Sequence, residues 1–192
     1  MPFDAHDDMP DDALLRLFAN GNGDAARTLT LRLTPVVMAH AWRMLGNRAE
    51  AEDVTQEALM RLWRIAPDWR HGEAKVTTWL YRVVANLCTD RLRHMRPLDI
   101  DAVPEPADDA ASAEDRLVDQ GRMDALQMAL GRLPDRQKQA VILRHIEGLG
   151  NPEIGEIMGI GIEAVESLTA RGKRALAADL AARRQELGYE ND

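Results

Sequence analysis

The residue types best suited to hold a nucleic acid gather within residues 69–96, a basic stretch of an acidic chain. Apolar residues recur there at three- and four-residue steps, which predicts a helix over about 78–95. Arg82, Asn86 and Arg93 fall together on the polar face of that helix. An amide can donate to and accept from a base edge, and a guanidinium pairs with phosphate or stacks on a base.

The loop that precedes this helix adds further groups of the same kind. It carries Trp69, Arg70, His71 and Lys75. An unstacked base needs both a pocket and a stacking surface, and a loop of this composition can offer them.

The alternative for this region is a solvated helix face whose aromatic rings only pack against neighbouring helices. For Trp63 and Trp79 we prefer that interpretation, because aromatic side chains usually serve the core. The role of Trp69 stays open between packing and stacking. Cys88 lies on the apolar face and is expected to be a small core residue, not a redox sensor.

A second constellation lies near the C-terminus, in residues 151–176. Asn151 is a suitable N-cap and Pro152 suits a first helical turn, so a short helix is predicted over 152–158. A tight turn containing two glycines follows, and a longer helix begins near Ile162. This succession predicts a helix-turn-helix.

The second of these helices is expected to expose polar and basic side chains that can reach base edges or phosphates in a major groove. They are Glu163, Glu166, Ser167, Thr169, Ala170, Arg171, Lys173 and Arg174. The alternative is an ordinary helical hairpin with a basic end, since the helix dipole alone favours Arg and Lys at helix C-termini.

The elements that position these groups are all predicted to be helices, because the apolar spacing is helical almost everywhere. The helices are expected near 11–19, 25–45, 49–66, 78–95, 114–131, 135–147, 152–158 and 162–182. Pro35 lies inside the second and predicts a kink or a break. Two small helical domains, 10–96 and 114–185, are joined by residues 97–113, which are rich in Pro and Asp and are expected to form a flexible acidic linker.

Charge and cysteine content exclude several classes of protein. The formal net charge is -8, yet residues 61–96 hold eight Arg or Lys against three Asp or Glu. The single Cys excludes an intramolecular disulfide and a Cys-rich zinc site. No signal peptide and no apolar run long enough to span a bilayer is present, so we expect a cytoplasmic protein without membrane insertion. No metal-ligand spacing, phosphate loop or catalytic triad supports an enzyme or a cofactor.

Three stretches together resemble a known family. They are AEDVTQEALMRLWR, GEAKVTTWLYRVVANLCTDRLR and LPDRQKQAVILRHIEGLGNPEIGEIMGIGIEAVESLTARGKRAL. In this order they are similar to the extracytoplasmic-function (group 4) sigma factors of the bacterial sigma-70 family, and the resemblance covers about residues 11–180.

The resemblance implies a promoter-specificity subunit with no catalysis of its own. Residues 10–96 would be sigma domain 2, which binds the β′ clamp of RNA polymerase core and opens the -10 element. Residues 114–185 would be sigma domain 4, which reads the -35 element and meets the β flap. An anti-sigma factor that wedges between the two domains is a further expected partner.

The resemblance also assigns roles to individual positions. Those matching the clamp-binding helix are Asp53, Gln56, Glu57 and Met60. The set expected at the -10 element is Arg61, Arg70, His71, Gly72, Lys75, Arg82, Asn86 and Arg93. The set expected at the -35 element is Glu166, Ser167, Ala170, Arg171, Lys173 and Arg174. The second hypothesis is a helix-turn-helix transcriptional regulator with an N-terminal helical sensor domain.

Overall fold

The computed structural model describes residues 8–70, 72, 74–95 and 113–186, and within them the chain forms helices and no strands. The predicted all-α class is confirmed. The predicted linker lies almost wholly outside the described residues. The helices are α1 Asp11–Ala19, α2 Gly23–Leu45, α3 Arg48–Ile65, α4 Val76–Met95, α5 Ala113–Gly131, α6 Asp135–Val141, α7 Asn151–Met158 and α8 Ile162–Glu186.

Helices α1–α4 form an N-terminal unit in which α2 packs against each of the other three. Its core is a set of leucines and valines that solvent does not reach, among them Leu14, Leu29 and Leu62. Asn22 and Asn47 cap α2 and α3, each accepting a backbone N–H at 3.0 Å. Such caps satisfy donors that have no partner within the helix, so they fix where α2 and α3 begin.

Of the kink or break predicted at Pro35, the break does not occur: α2 runs without interruption from Gly23 to Leu45. Pro35 cannot donate to the carbonyl of Leu31, four residues earlier. Both residues are exposed, and Leu31 is 66% exposed. Water can therefore donate a hydrogen bond to the Leu31 carbonyl, so the helix tolerates a proline in its middle.

Helices α5–α8 form a C-terminal unit in which α6, α7 and α5 all pack against α8. Gly159, in the left-handed conformation, caps the C-terminus of α7, and the Ile160 N–H donates to the Gly155 carbonyl at 3.0 Å. The predicted N-cap of α7 was wrong by one residue. Gly150 holds that place, and the Glu153 side chain accepts its N–H at 3.2 Å.

The two units pack directly on each other, α4 against α7 and α2 against α5 and α6. Buried residues of the C-terminal unit, including Leu130 and Ile142, join the hydrophobic core of the N-terminal unit. The candidate site residues of both halves are therefore held on one packed body.

Candidate nucleic-acid interface

The polar face of α4 points to solvent as the sequence predicts. Arg82, Asn86 and Arg93 are all exposed. The opposite face buries Val84 and Cys88 in the core, so the helix cannot rotate without exposing apolar surface. The three polar side chains are thus presented along one side of a fixed helix.

The loop before α4 approaches the C-terminal unit. Gly72 has a φ of +82°, a conformation that suits glycine in a tight turn. The Lys75 ammonium donates to Glu153 Oε1 at 3.0 Å while remaining 76% exposed. Arg70 is exposed, and His71 lies outside the described residues.

A cleft of about 530 Å³ opens at this loop. Its lining comes from both units, with Gly72, Lys75 and Thr77 on one side and Glu153 and Glu156 on the other. Ion pairing with Lys75 and the backbone N–H of Gly150 hold the pKa of Glu153 below its usual range. The carboxylate is therefore charged at neutral pH beside the loop's lysine.

The tryptophans near the loop belong to the hydrophobic core. Trp63 packs on Phe18 with ring centroids 4.7 Å apart, and Trp79 meets Trp69 edge-on at 6.1 Å. The core interpretation of Trp63 and Trp79 is confirmed by their packing. Trp69 packs in the same cluster with its Nε1 buried and without a hydrogen-bond partner, so its ring is part of the core in this conformation.

The exposed face of α3 combines charge with one large apolar side chain. Asp53 and Gln56 are exposed, Glu57 is half-buried, and Met60 is 44% exposed. Glu57 accepts from Arg61 at 2.8 Å along the helix. Met60 is therefore an exposed apolar side chain among polar neighbours on α3.

The second helix of the helix-turn-helix, α8, presents most of the residues predicted for it. Glu166, Ser167, Ala170, Arg171, Lys173 and Arg174 are exposed. Glu166 accepts from the Asn151 amide at 3.3 Å. Thr169, expected to be exposed, is instead half-buried with its hydroxyl oxygen enclosed, because it turns toward the body of the unit.

Close packing fixes the position of α8 on α6. A Cβ added to Gly172 would lie 2.6 Å from Val141 Cγ2 and 3.1 Å from the Gln137 carbonyl oxygen. The glycine therefore allows the two helices to approach, and it sets which residues of α8 point outward.

Sequence reasoning missed a polar cluster between the two units, formed by Glu147 with His40, Arg43 and Tyr81. The Glu147 carboxylate accepts from Tyr81 Oη at 2.8 Å and from Arg43 Nη1 at 3.1 Å. Burial raises the pKa of Glu147, but His40, Tyr81 and Arg43 outweigh it and hold that pKa below its usual range. Tyr81 is 66 residues and Arg43 is 104 residues from Glu147 in the sequence, so no spacing pattern could have revealed these contacts.

Two family models match these two units. Residues 29–96 match sigma-70 region 2, and residues 123–176 match sigma-70 region 4. The chain is also 34% identical over 150 residues to the ECF RNA polymerase sigma factor SigW of Bacillus subtilis, covering 72% of this chain and 80% of that protein. The chain belongs to the extracytoplasmic-function sigma factors of the sigma-70 family. Its N-terminal unit matches sigma-70 region 2, whereas the alternative hypothesis requires a sensor domain there.

Solved sigma-factor structures share the fold of this sigma factor. One is CnrH in complex with the cytosolic domain of CnrY, with 24% identity and a TM-score of 0.65 over 90% of this chain and 97% of that one. Another is RpoE in complex with the anti-sigma factor NepR from Bartonella quintana, with 22% identity and a TM-score of 0.65. The RpoE match covers 81% of this chain and 96% of that chain.

Within the described part of the sigma factor, two further features concern membrane crossing and metal binding. None of its helices is both long and apolar enough to cross a bilayer. The same residues hold no group of three or more His, Cys, Asp or Glu placed to bind a metal ion.

Proposed function

We propose that this sigma factor binds RNA polymerase core through the outer face of α3 and directs it to promoters with two DNA-reading surfaces. The observation that carries the proposal is the outward polar face of α4, held by its buried opposite face in a chain with regions 2 and 4. The factor contributes binding and melting, with no catalysis of its own, and acts in the cytoplasm.

The contact with polymerase is proposed to use Asp53, Gln56, Glu57 and Met60 against the β′ clamp. Three of the four are exposed in the packed chain, and the methionine supplies apolar area in a polar rim. The β flap is the proposed partner of the C-terminal unit. Residues 10–96 and 114–185 are proposed as the two functional domains.

The -10 element is proposed to meet the loop before α4 and the α4 polar face. Arg61, Arg70, Lys75, Arg82 and Arg93 supply positive charge for phosphates of the melted strand. His71 and Gly72 belong to the same loop by sequence. Asn86 is proposed to read a base, and its exposure supports this because an amide can pair with a base edge.

The -35 element is proposed to receive α8 in its major groove. Arg171, Lys173 and Arg174 are exposed along one stretch of that helix, with Ser167 and Ala170 beside them. Glu166 can accept from a cytosine amino group once it leaves Asn151. An anti-sigma factor is a further proposed partner, supported by the solved neighbour RpoE, which is bound to one.

The proposal is tested by reconstitution. Overproduction of the chain followed by mapping of new transcript ends identifies a promoter, and purified chain plus core polymerase should then transcribe from that promoter. Met60→Ala should weaken core binding, whereas Glu52→Ala serves as the matched control. Glu52 is exposed on the same helix, where it forms an ion pair with Arg48. Absence of a stable core complex and of promoter-dependent transcript would refute the function.

A further inference from the structure

Glu166 is an acidic residue on the outward face of the helix that is proposed to enter DNA. The rotation of α8 is fixed by Val165, which has no exposed surface, and by Gly172, whose position against α6 leaves no room for a Cβ. Glu166 follows Val165 directly and is exposed, as is Ala170 one turn later. The carboxylate therefore lies on the side of α8 that points away from the body of the C-terminal unit.

The usual stabilising roles of a helical glutamate do not explain Glu166. Exposed glutamates often pair with a cation one turn away, as Glu57 does with Arg61. The residues three and four places from Glu166 are instead Ile, Glu, Thr and Ala, and the next cation, Arg171, is about 7.5 Å further along the helix axis. The helix dipole favours an acid in the first turn, but Glu163 holds that position.

The partner of Glu166 is the side-chain amide of Asn151, the first residue of α7. The amide nitrogen donates to Glu166 Oε1 at 3.3 Å, just beyond the usual range of about 2.7–3.2 Å, and the bond is exposed to water. Asn151 is not required to cap α7, because Gly150 is the N-cap. The bond is therefore weak, and either partner can exchange it for another.

DNA offers a suitable new partner to each of the two side chains. In a helix-turn-helix the first turns of the second helix reach base edges, and the first helix crosses the phosphate backbone. A carboxylate can only accept, and cytosine presents an amino donor in the major groove, whereas guanine and thymine present acceptors there. An amide N–H donates well to a phosphate oxygen.

We infer that Glu166 and Asn151 exchange partners on the promoter and so divide the reading of the -35 element between them. The Glu166 carboxylate turns from Asn151 to the amino group of a cytosine, which makes cytosine the preferred base at one position. The released Asn151 amide donates to a backbone phosphate, which adds affinity without sequence preference. This inference rests on the proposed function, because it requires α8 to lie in the major groove.

The test is a selection from promoter libraries by holoenzyme made from the purified full-length chain and core polymerase. The mapped promoter keeps its -10 element while the -35 element is randomised, and sequencing of the bound DNA gives the base preference at each position. Wild type should select cytosine at one position. Glu166→Gln should move that preference to adenine, because a carboxamide pairs with adenine N6 and N7. The ratio of cytosine to adenine there should change about tenfold or more.

Glu163→Gln is the matched control, because it makes the same change of charge one turn earlier on α8. It should leave the preference at every position as in wild type. Selection of the wild-type sequences by Glu166→Gln would overturn the inference. A shift of the same position by both variants would also overturn it, since the cause would then be the charge of the helix and not a contact of Glu166.

Asn151 is tested by affinity on two promoters, the selected one and a copy in which the cytosine is replaced. Asn151→Ala should weaken holoenzyme binding several-fold and by the same factor on both, as expected for a phosphate contact. Asn151→Asp keeps the shape of the side chain but removes the donor, so it should weaken binding at least as much. Wild-type affinity in either variant, or a loss confined to the promoter with the cytosine, would overturn the Asn151 contact.

The wild-type selection separates this inference from the proposed function. If wild-type holoenzyme does not form or enriches no -35 sequence, the proposed function fails before any variant is compared. If wild type enriches a -35 sequence and Glu166→Gln enriches the same one, the proposed function stands and only the roles given to Glu166 and Asn151 fail.

Discussion

The single cysteine of the chain gives a quantitative test of the core around α4. Cys88 has no exposed surface, and burial raises the pKa of its thiol to about 12, an effect that Lys138 and Arg91 only partly offset. An ordinary cysteine with a pKa of about 8.5 is roughly one quarter thiolate at pH 8. At the same pH, a thiol with a pKa of about 12 has a thiolate fraction of about one part in ten thousand.

Alkylation of Cys88 should therefore be slower than that of the unfolded chain by roughly three orders of magnitude, since the thiolate is the nucleophile. Steric exclusion of the reagent slows it further. The measurement is a time course of iodoacetamide labelling at pH 8, followed by intact mass, with the native chain compared with the chain in concentrated urea. Only one thiol is present, so the mass change reports on Cys88 alone.

A Cys88→Ala variant gives the background and checks that no other group reacts. The reasoning is refuted if the native chain is labelled within about tenfold of the urea-denatured rate, because such a rate requires an accessible thiol of ordinary pKa. The sign of the pH effect is also fixed. Because the folded-state pKa of Cys88 is raised, its titration should leave the free energy of unfolding unchanged below about pH 8.5 and lower it progressively as the pH rises above that value.

Four further predictions concern single groups. Asn47→Ala should lower the free energy of unfolding by about 1 kcal/mol in urea denaturation, because it removes the cap of α3; an unchanged midpoint would contradict the cap. The stabilisation from the Glu147 carboxylate should be present above about pH 4.3 and lost as the pH falls through its lowered pKa. Acid-unfolding curves of wild type and Glu147→Gln test this, because the variant lacks the titrating group. Asn86→Ala should impair transcription from duplex promoters, with core binding and premelted templates unaffected; an equal loss of core affinity would refute that role. Arg171→Ala should weaken binding to -35 duplex by roughly 1–3 kcal/mol in a titration at low salt, and an unchanged affinity would mean that the guanidinium faces solvent.

Helical periodicity predicted the fold well because it is a local property. Each predicted helix is present, and the outward direction of Asn86 and Arg171 follows from which neighbours are apolar. Helix starts were less certain because tertiary packing decides them. α4 begins at Val76, two residues before the predicted start near residue 78, because Val76 and Thr78 are both buried against the body of the unit.

The interface between the units was beyond sequence reasoning for a physical reason. Glu147 follows a buried apolar run and precedes a glycine, which is an ordinary place for a solvated carboxylate. Its partners Arg43 and Tyr81 lie on different helices and are distant in sequence. The packing of the C-terminal unit against both α2 and α4 brings them together, and that packing depends on side-chain shape and not on periodicity.

The ion pairs of the chain help to explain how a protein that acts on DNA can carry a net negative charge. Lys75 is met by Glu153, Arg61 by Glu57 and Arg43 by Glu147. A phosphate must displace a carboxylate that is already in place before it can pair with Lys75 or Arg61, and breaking each of these exposed ion pairs costs up to about 1 kcal/mol.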